Sequence, residues 1–136
     1  MTTDLTDVFR KTVAVDFDGV IHSYEKGWHD GSIYGTPIPG AFEALRELME
    51  KYCVFIFTTR NCHQIAEWLE DKGGFKTTTD DSRFAHPLLL DGSFWSTPGI
   101  LLITNQKLGA IAYIDDRAIR FRGDWRETME ELHAVQ

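Results

Sequence analysis

Short apolar runs alternate with helical stripes along most of the chain. Thr12–Phe17 (TVAVDF), Cys53–Phe57 (CVFIF), Gly99–Ile103 (GILLI) and Ile111–Ile114 (IAYI) are β-branched or aromatic, and short enough for buried parallel strands. Ala118–Phe121 is a fifth, weaker run. Phe42, Leu45, Leu48 and Met49 recur at helical spacing behind Pro39-Gly40, with the proline expected in the first turn. Ile65, Ala66, Trp68 and Leu69 form a second helical face that Gly73-Gly74 stops, and Trp125 to Leu132 form a third. Strand, helix, strand, helix, strand predicts an α/β fold, a doubly wound parallel sheet with right-handed crossovers. In such sheets ligands bind beyond the carboxyl ends of the strands.

Two segments break the alternation. His22–Pro37 (HSYEKGWHDGSIYGTP) is rich in glycine and aromatics and predicts a hairpin or flap over about residues 21–37. Lys76–Pro98 has weak periodicity and reads as an irregular insertion. With 136 residues, the chain is expected to form a single domain over 1–136, large enough to bury a core without metal or disulfide staples.

Charge and composition narrow the partners. Fourteen Lys and Arg against 21 Asp and Glu give a net charge of −7, which argues against nucleic-acid binding by general charge attraction. Cys53 and Cys62 are too few for a secreted disulfide framework, and MTTDLTDVFRKT lacks the apolar stretch of a signal peptide. A cytoplasmic protein is expected, with no membrane partner, since no apolar run approaches a membrane span. The chain is expected to be a monomer or a homodimer.

The strand ends carry the chemistry. The first strand ends in Asp16-Phe17-Asp18-Gly19, and alternation along an extended chain puts both carboxylates on one side with Phe17 on the other. Such a pair repels itself unless a cation sits there, and oxygen-only ligands favour magnesium over zinc. Gly19 lets the chain turn away at once. The second strand ends in Thr58-Thr59-Arg60-Asn61, hydroxyls and a guanidinium suited to phosphate oxygens. A later strand ends in Asp115-Asp116-Arg117, with Lys107 shortly before it. Carboxylates, a threonine and a lysine at neighbouring strand ends suit phosphoryl transfer at a metal.

In this order the motifs resemble those of the haloacid dehalogenase (HAD) superfamily. VAVDFDGVI is similar to its first motif, FTTR to its second, Lys107 to its third and YIDDRAIRF to its fourth, over roughly residues 12 to 125. IHSY, PGAFEAL, TTR and YIDDRAIRF followed by GDW also resemble a small, minimally capped subgroup from bacteria and phages. The resemblance implies a phosphatase in which Asp16 is the nucleophile that forms an aspartyl-phosphate, while Asp18 protonates the leaving alcohol and then activates water. Members that process carbon–halogen bonds lack the second aspartate. It further implies that Thr58 holds the phosphoryl group, that Lys107 neutralises charge on it, and that Mg2+ is held by Asp16, Asp18 through its main-chain carbonyl, and Asp115 or Asp116. Gly19, Thr59 and Arg60 are the substrate-binding positions. Arg60 resembles an arginine of polynucleotide-end phosphatases in the family, whereas Leu108 departs from the proline that often follows the third-motif lysine.

The expected substrate is a phosphomonoester, with a preference for a nucleotide or nucleic-acid end because neither unmatched segment is large enough for a full cap. Arg60, Arg83, Arg117, Arg120 and Arg122 are candidate backbone-phosphate contacts. Alternatives are a small-molecule or phosphoprotein phosphatase, an idle member that only binds phosphorylated partners, or a receiver-like domain. The last fits less well, because a receiver's lysine follows its acidic pair in the chain and Lys107 precedes Asp115. His22, His29, His63, His86 and His133 lack paired ligand spacing and argue against zinc. Cys62-His63 as a nucleophile pair lacks an orienting third group. Tyr24, Trp28, Tyr34 and Trp95 form either an aromatic rim for base stacking or ordinary packing.

Overall fold

The computed structural model describes residues 11–80 and 94–135. It contains one parallel sheet of five strands, β1 (Thr12–Asp16), β2 (Cys53–Phe57), β3 (Thr77–Asp80), β4 (Leu101–Thr104) and β5 (Ala112–Ile114), in the order β3-β4-β2-β1-β5. Helices α1 (Ala41–Lys51), α2 (Cys62–Gly73) and α3 (Trp125–Ala134) complete a Rossmann-like α/β fold. No helix among the described residues is long and apolar enough to cross a membrane.

Alternation in the strands splits the interior into two layers. Val13, Val15, Val54, Ile56, Leu101 and Ile103 point to one face, where they pack with Leu45 of α1 and with Ile65, Trp68 and Leu69 of α2. Ala14, Phe55 and Leu102 point to the other face, against Leu108, Trp95, Ala110 and Tyr113. Both layers are apolar because a central parallel strand is covered on both sides. The helix limits follow local chemistry. Asn61 caps α2 by accepting the His63 and Gln64 N–H groups, and Gly74 ends it in the left-handed region at φ 68°. Asp124 caps α3 in the same way as Asn61 caps α2, through the Arg126 and Glu127 N–H groups.

Several sequence expectations are corrected. The insertion over 76–98 opens with an ordered edge strand, Thr77–Asp80, whose polar threonines hid it from a search for apolar runs. Residues 81–93 of that segment, with Arg83 and His86, lie outside the described residues. The run from Gly99 becomes a strand only at Leu101, because Gly99 turns at φ 80°. Ala118–Phe121 is not a strand: Ala118 is exposed and Phe121 stacks on Trp125. Pro39 precedes the α1 cap Gly40 instead of standing in the first turn. The third helix forms where expected but buries none of its residues.

The topology fixes where ligands belong. From β1 the chain moves outward on one side to β2 and β3, then crosses to β5 on the other side of β1. The strand order therefore reverses at the β1/β5 boundary, and the crevice beyond the carboxyl ends of those two strands is where such sheets bind ligands.

Candidate active site

The β1/β5 boundary brings together the two acidic motifs. Val15 pairs with Ile114, so Asp16 and Asp115 emerge side by side past the last paired residues. One carboxylate oxygen from each of Asp16, Asp115 and Asp116 lies within 4.8 Å of the other two. Asp16 is pushed up from 3.8 to about 7, chiefly by burial and then by the charges of Asp115 and Asp116, against the lowering effect of the Phe17 N–H that Oδ1 accepts at 2.8 Å. Asp115 is steadied by accepting the Arg117 N–H at 2.7 Å. Gly19 makes room for the cluster: it sits at φ 83°, and a Cβ there would run into the Asp116 carboxylate. A hard divalent cation fits this trio, since all three donors are oxygens and their mutual repulsion is what a cation relieves.

Asp18, two residues on, has a different environment. Its carboxylate is outside the acidic trio. Oδ2 accepts the Arg60 Nε–H at 2.7 Å and Oδ1 faces His22 Nδ1 at 2.9 Å. Phe17 between the two aspartates is fully buried in the core layer, as alternation predicts.

Arg60 is 1% exposed, which departs from a substrate-facing guanidinium. Besides Asp18, its Nη1–H donates to the Gly31 carbonyl at 2.8 Å, and its guanidinium carbon lies 4.6 Å from the Trp28 ring centroid. Arg60 Nη2 is buried with no hydrogen-bond partner among the described residues. Thr58 is buried, and its hydroxyl accepts the Arg60 N–H at 3.1 Å. Asn105, which sequence reasoning passed over, fixes this turn by donating from Nδ2 to the carbonyls of Thr58 at 2.6 Å and Arg60 at 3.0 Å. The available signal was a polar amide directly after an apolar strand, the same signal that drew attention to Thr58.

A cleft of about 140 Å³ beside Asp16 is lined by Asp16, Asp18, Tyr24, Thr59 and Arg117. It is below the roughly 300–1,000 Å³ typical of sites that enclose a whole organic ligand, and so suits the charged end of one. Lys107 does not line this cleft. It is exposed, stands 5.4 Å from the Tyr113 ring centroid, and forms no ion pair among the described residues. The cleft's cation is Arg117, which sequence reasoning counted only among general phosphate contacts. Arg122 is occupied on α3 by Glu127 and Glu131. Cys62 is buried and His63 exposed, which removes that pair as a nucleophile site.

The flap closes as a loop whose base is antiparallel at His22 and Pro37, with Ser23 N–H donating to Thr36 O at 3.0 Å. Tyr24 and Trp28 flank Arg60, whereas Tyr34 packs on the His22 ring and its hydroxyl donates to the Gly27 carbonyl at 2.9 Å. Trp95 belongs to the opposite core layer and is not part of this rim.

No known family matches the sequence, and neither does any curated protein. Among solved structures, a conserved protein coded by a locus from Bacteroides thetaiotaomicron is similar over 93% of each chain, with 24% identity and a TM-score of 0.47.

Proposed function

We propose that this protein is a magnesium-dependent phosphomonoester hydrolase of the HAD type, acting through an aspartyl-phosphate on Asp16. The observation that carries the reading is the acidic trio of Asp16, Asp115 and Asp116 at the β1/β5 crevice, with Asp18 held separately beside it. Asp16 attacks phosphorus, the ester P–O bond breaks, and Asp18 gives its proton to the departing alcohol oxygen. Asp18 then takes a proton from the water that attacks the aspartyl-phosphate, which releases inorganic phosphate and restores the Asp16 carboxylate and the Asp18 acid. Magnesium, held by Asp16, Asp115 and Asp116, would supply charge neutralisation that lets an anionic nucleophile meet an anionic ester. Arg117 and Thr59, which line the cleft, would hold the ester's phosphoryl oxygens.

A small, open cleft favours a bulky substrate that presents only its phosphate, such as a nucleic-acid end, over a small metabolite that must be enclosed. The test is phosphate release from p-nitrophenyl phosphate and from 3′-phosphorylated oligonucleotides, with magnesium and with chelator. Turnover that requires magnesium and vanishes in Asp16→Asn supports the mechanism. Turnover that ignores chelation or survives Asp16→Asn refutes it, and an oligonucleotide turned over no better than the aryl ester removes the substrate preference.

A further inference from the structure

We propose that His22 is the positioning residue for Asp18, holding its carboxylate through a proton on Nδ1 and being held in turn by the flap backbone at Gly35. The proton-transfer consequence rests on the phosphatase reading above; the contact itself does not.

His22 is fully buried, yet both ring nitrogens have partners. The Gly35 N–H donates to Nε2 at 2.9 Å, so Nε2 supplies a lone pair and carries no proton. The ring proton then belongs on Nδ1, which donates to Asp18 Oδ1 at 2.9 Å. The ring is also confined on its faces and edges, by Phe17 stacked at 5.5 Å and by Tyr34 and Trp68 edge-on at 5.1 and 6.0 Å. An imidazole so enclosed keeps one orientation, and the carboxylate oxygen it contacts inherits that orientation.

Gly35 shows how closely the flap is fitted to this task. A Cβ at that position would lie 2.7 Å from His22 Nε2 and collide with Ser23 Oγ. The absence of a side chain is what allows the backbone N–H to reach the ring. Arg60 makes the matching link on the other oxygen, joining Asp18 Oδ2 to the Gly31 carbonyl. Each oxygen of Asp18 is thus tied, through one buried side chain, to the flap. With both oxygens held, the direction in which Asp18 passes its proton to the leaving oxygen is set.

The test uses two esters and one spectrum. Protonation of the leaving group matters for an alkyl phosphate and hardly at all for p-nitrophenyl phosphate, and kcat/KM reports the steps through departure of the alcohol. His22→Leu and Gly35→Ala are expected to lower kcat/KM for the alkyl ester about 100-fold, while the aryl ester changes less than about 3-fold. His22→Asn, which keeps a side-chain N–H near the Nδ1 position, is expected to recover most of the loss. Independently of turnover, nitrogen-15 imidazole spectra of the wild-type protein are expected to place the His22 proton on Nδ1, with a signal that moves in Asp18→Asn. Equal losses on both esters would make His22 a structural residue only, and a proton on Nε2 would overturn the contact itself. Wild-type protein that turns over neither ester in magnesium overturns the phosphatase reading and the proton-transfer consequence, while the spectra still decide the positioning contact.

Discussion

Replacing Asp16 by asparagine should stabilise the metal-free protein while destroying its activity. In the folded chain the Asp16 carboxyl is pushed up from 3.8 to about 7, by burial first and by Asp115 and Asp116 after it. Between those two values the unfolded chain has released the proton and the folded chain still holds it, so folding stability falls as pH rises and levels off above about 7. A shift of about three units is worth about 4 kcal/mol for a group shielded from water. Asp16 is half-buried, and solvent screening reduces its share to about 1–2 kcal/mol. Asparagine keeps the shape and removes the charge. At pH 8 without metal, Asp16→Asn should melt about 3–8 °C above wild type, and the gap should close toward pH 4. Magnesium should reverse the ranking, because binding at about 100 times Kd adds about 2.7 kcal/mol to the wild type and little to the variant. Thermal melts across pH, with magnesium and with chelator, measure all of this. A variant that melts below wild type at pH 8 in chelator, or a gap that does not change with pH, would refute the account of Asp16 as a carboxylate disfavoured by burial and by its acidic neighbours.

Three further perturbations reach different parts of the site. Gly19→Ala should cost about 1–2 kcal/mol for a left-handed alanine and, by displacing Asp116, should shrink the magnesium-induced rise in melting temperature; an undiminished rise would exclude Asp116 from the metal site. Arg117→Ala should raise KM for a phosphate ester about 10-fold, the loss of one charge-assisted contact, whereas Lys107→Met should change it less; steady-state kinetics with the opposite ranking would return the phosphoryl contact to Lys107. Asn61→Ala removes the α2 cap and should cost about 1 kcal/mol in urea unfolding, and an unchanged midpoint would show that the cap bonds to His63 and Gln64 carry no net stability.

The fold and the acidic trio were legible because both follow from backbone periodicity. Apolar runs of the right length marked four of the five strands, and residues just past Val15 and Ile114 had to meet once those strands were parallel neighbours. What escaped was decided by contacts between segments distant in sequence. His22 looked like one of five scattered histidines, since nothing in IHSY tells that Gly35 will return to its ring. Arg60 and Lys107 were both assigned to substrate from their places after or beside strands. Spacing cannot say that Arg60 turns inward to Asp18 and Gly31, or that Lys107 leans on Tyr113. The strand Thr77–Asp80 escaped for another reason: an edge strand needs β-branched residues more than apolar ones, and its threonines supply the first without the second.

On the phosphatase reading, Asp16 and Asp18 take different roles from their positions at one strand end. Asp16 and Asp18 leave β1 on the same side, with identical side chains and one residue between them. Asp16 meets Asp115 and Asp116, so its surroundings supply negative charge and call for a cation. Among the described residues Asp18 meets two donors, Arg60 and His22, so its surroundings supply protons and positive charge and leave no reason for a metal to join its side chain. An anion poised beside acids becomes useful as a nucleophile only when a cation arrives. A carboxylate held by one fixed donor on each oxygen is suited to move a proton along a set direction. On the proposed reading, division of labour between nucleophile and acid/base needs no difference in residue type. It needs β5 on one side of β1 and the flap on the other, which is what the strand order and the loop from His22 to Pro37 provide.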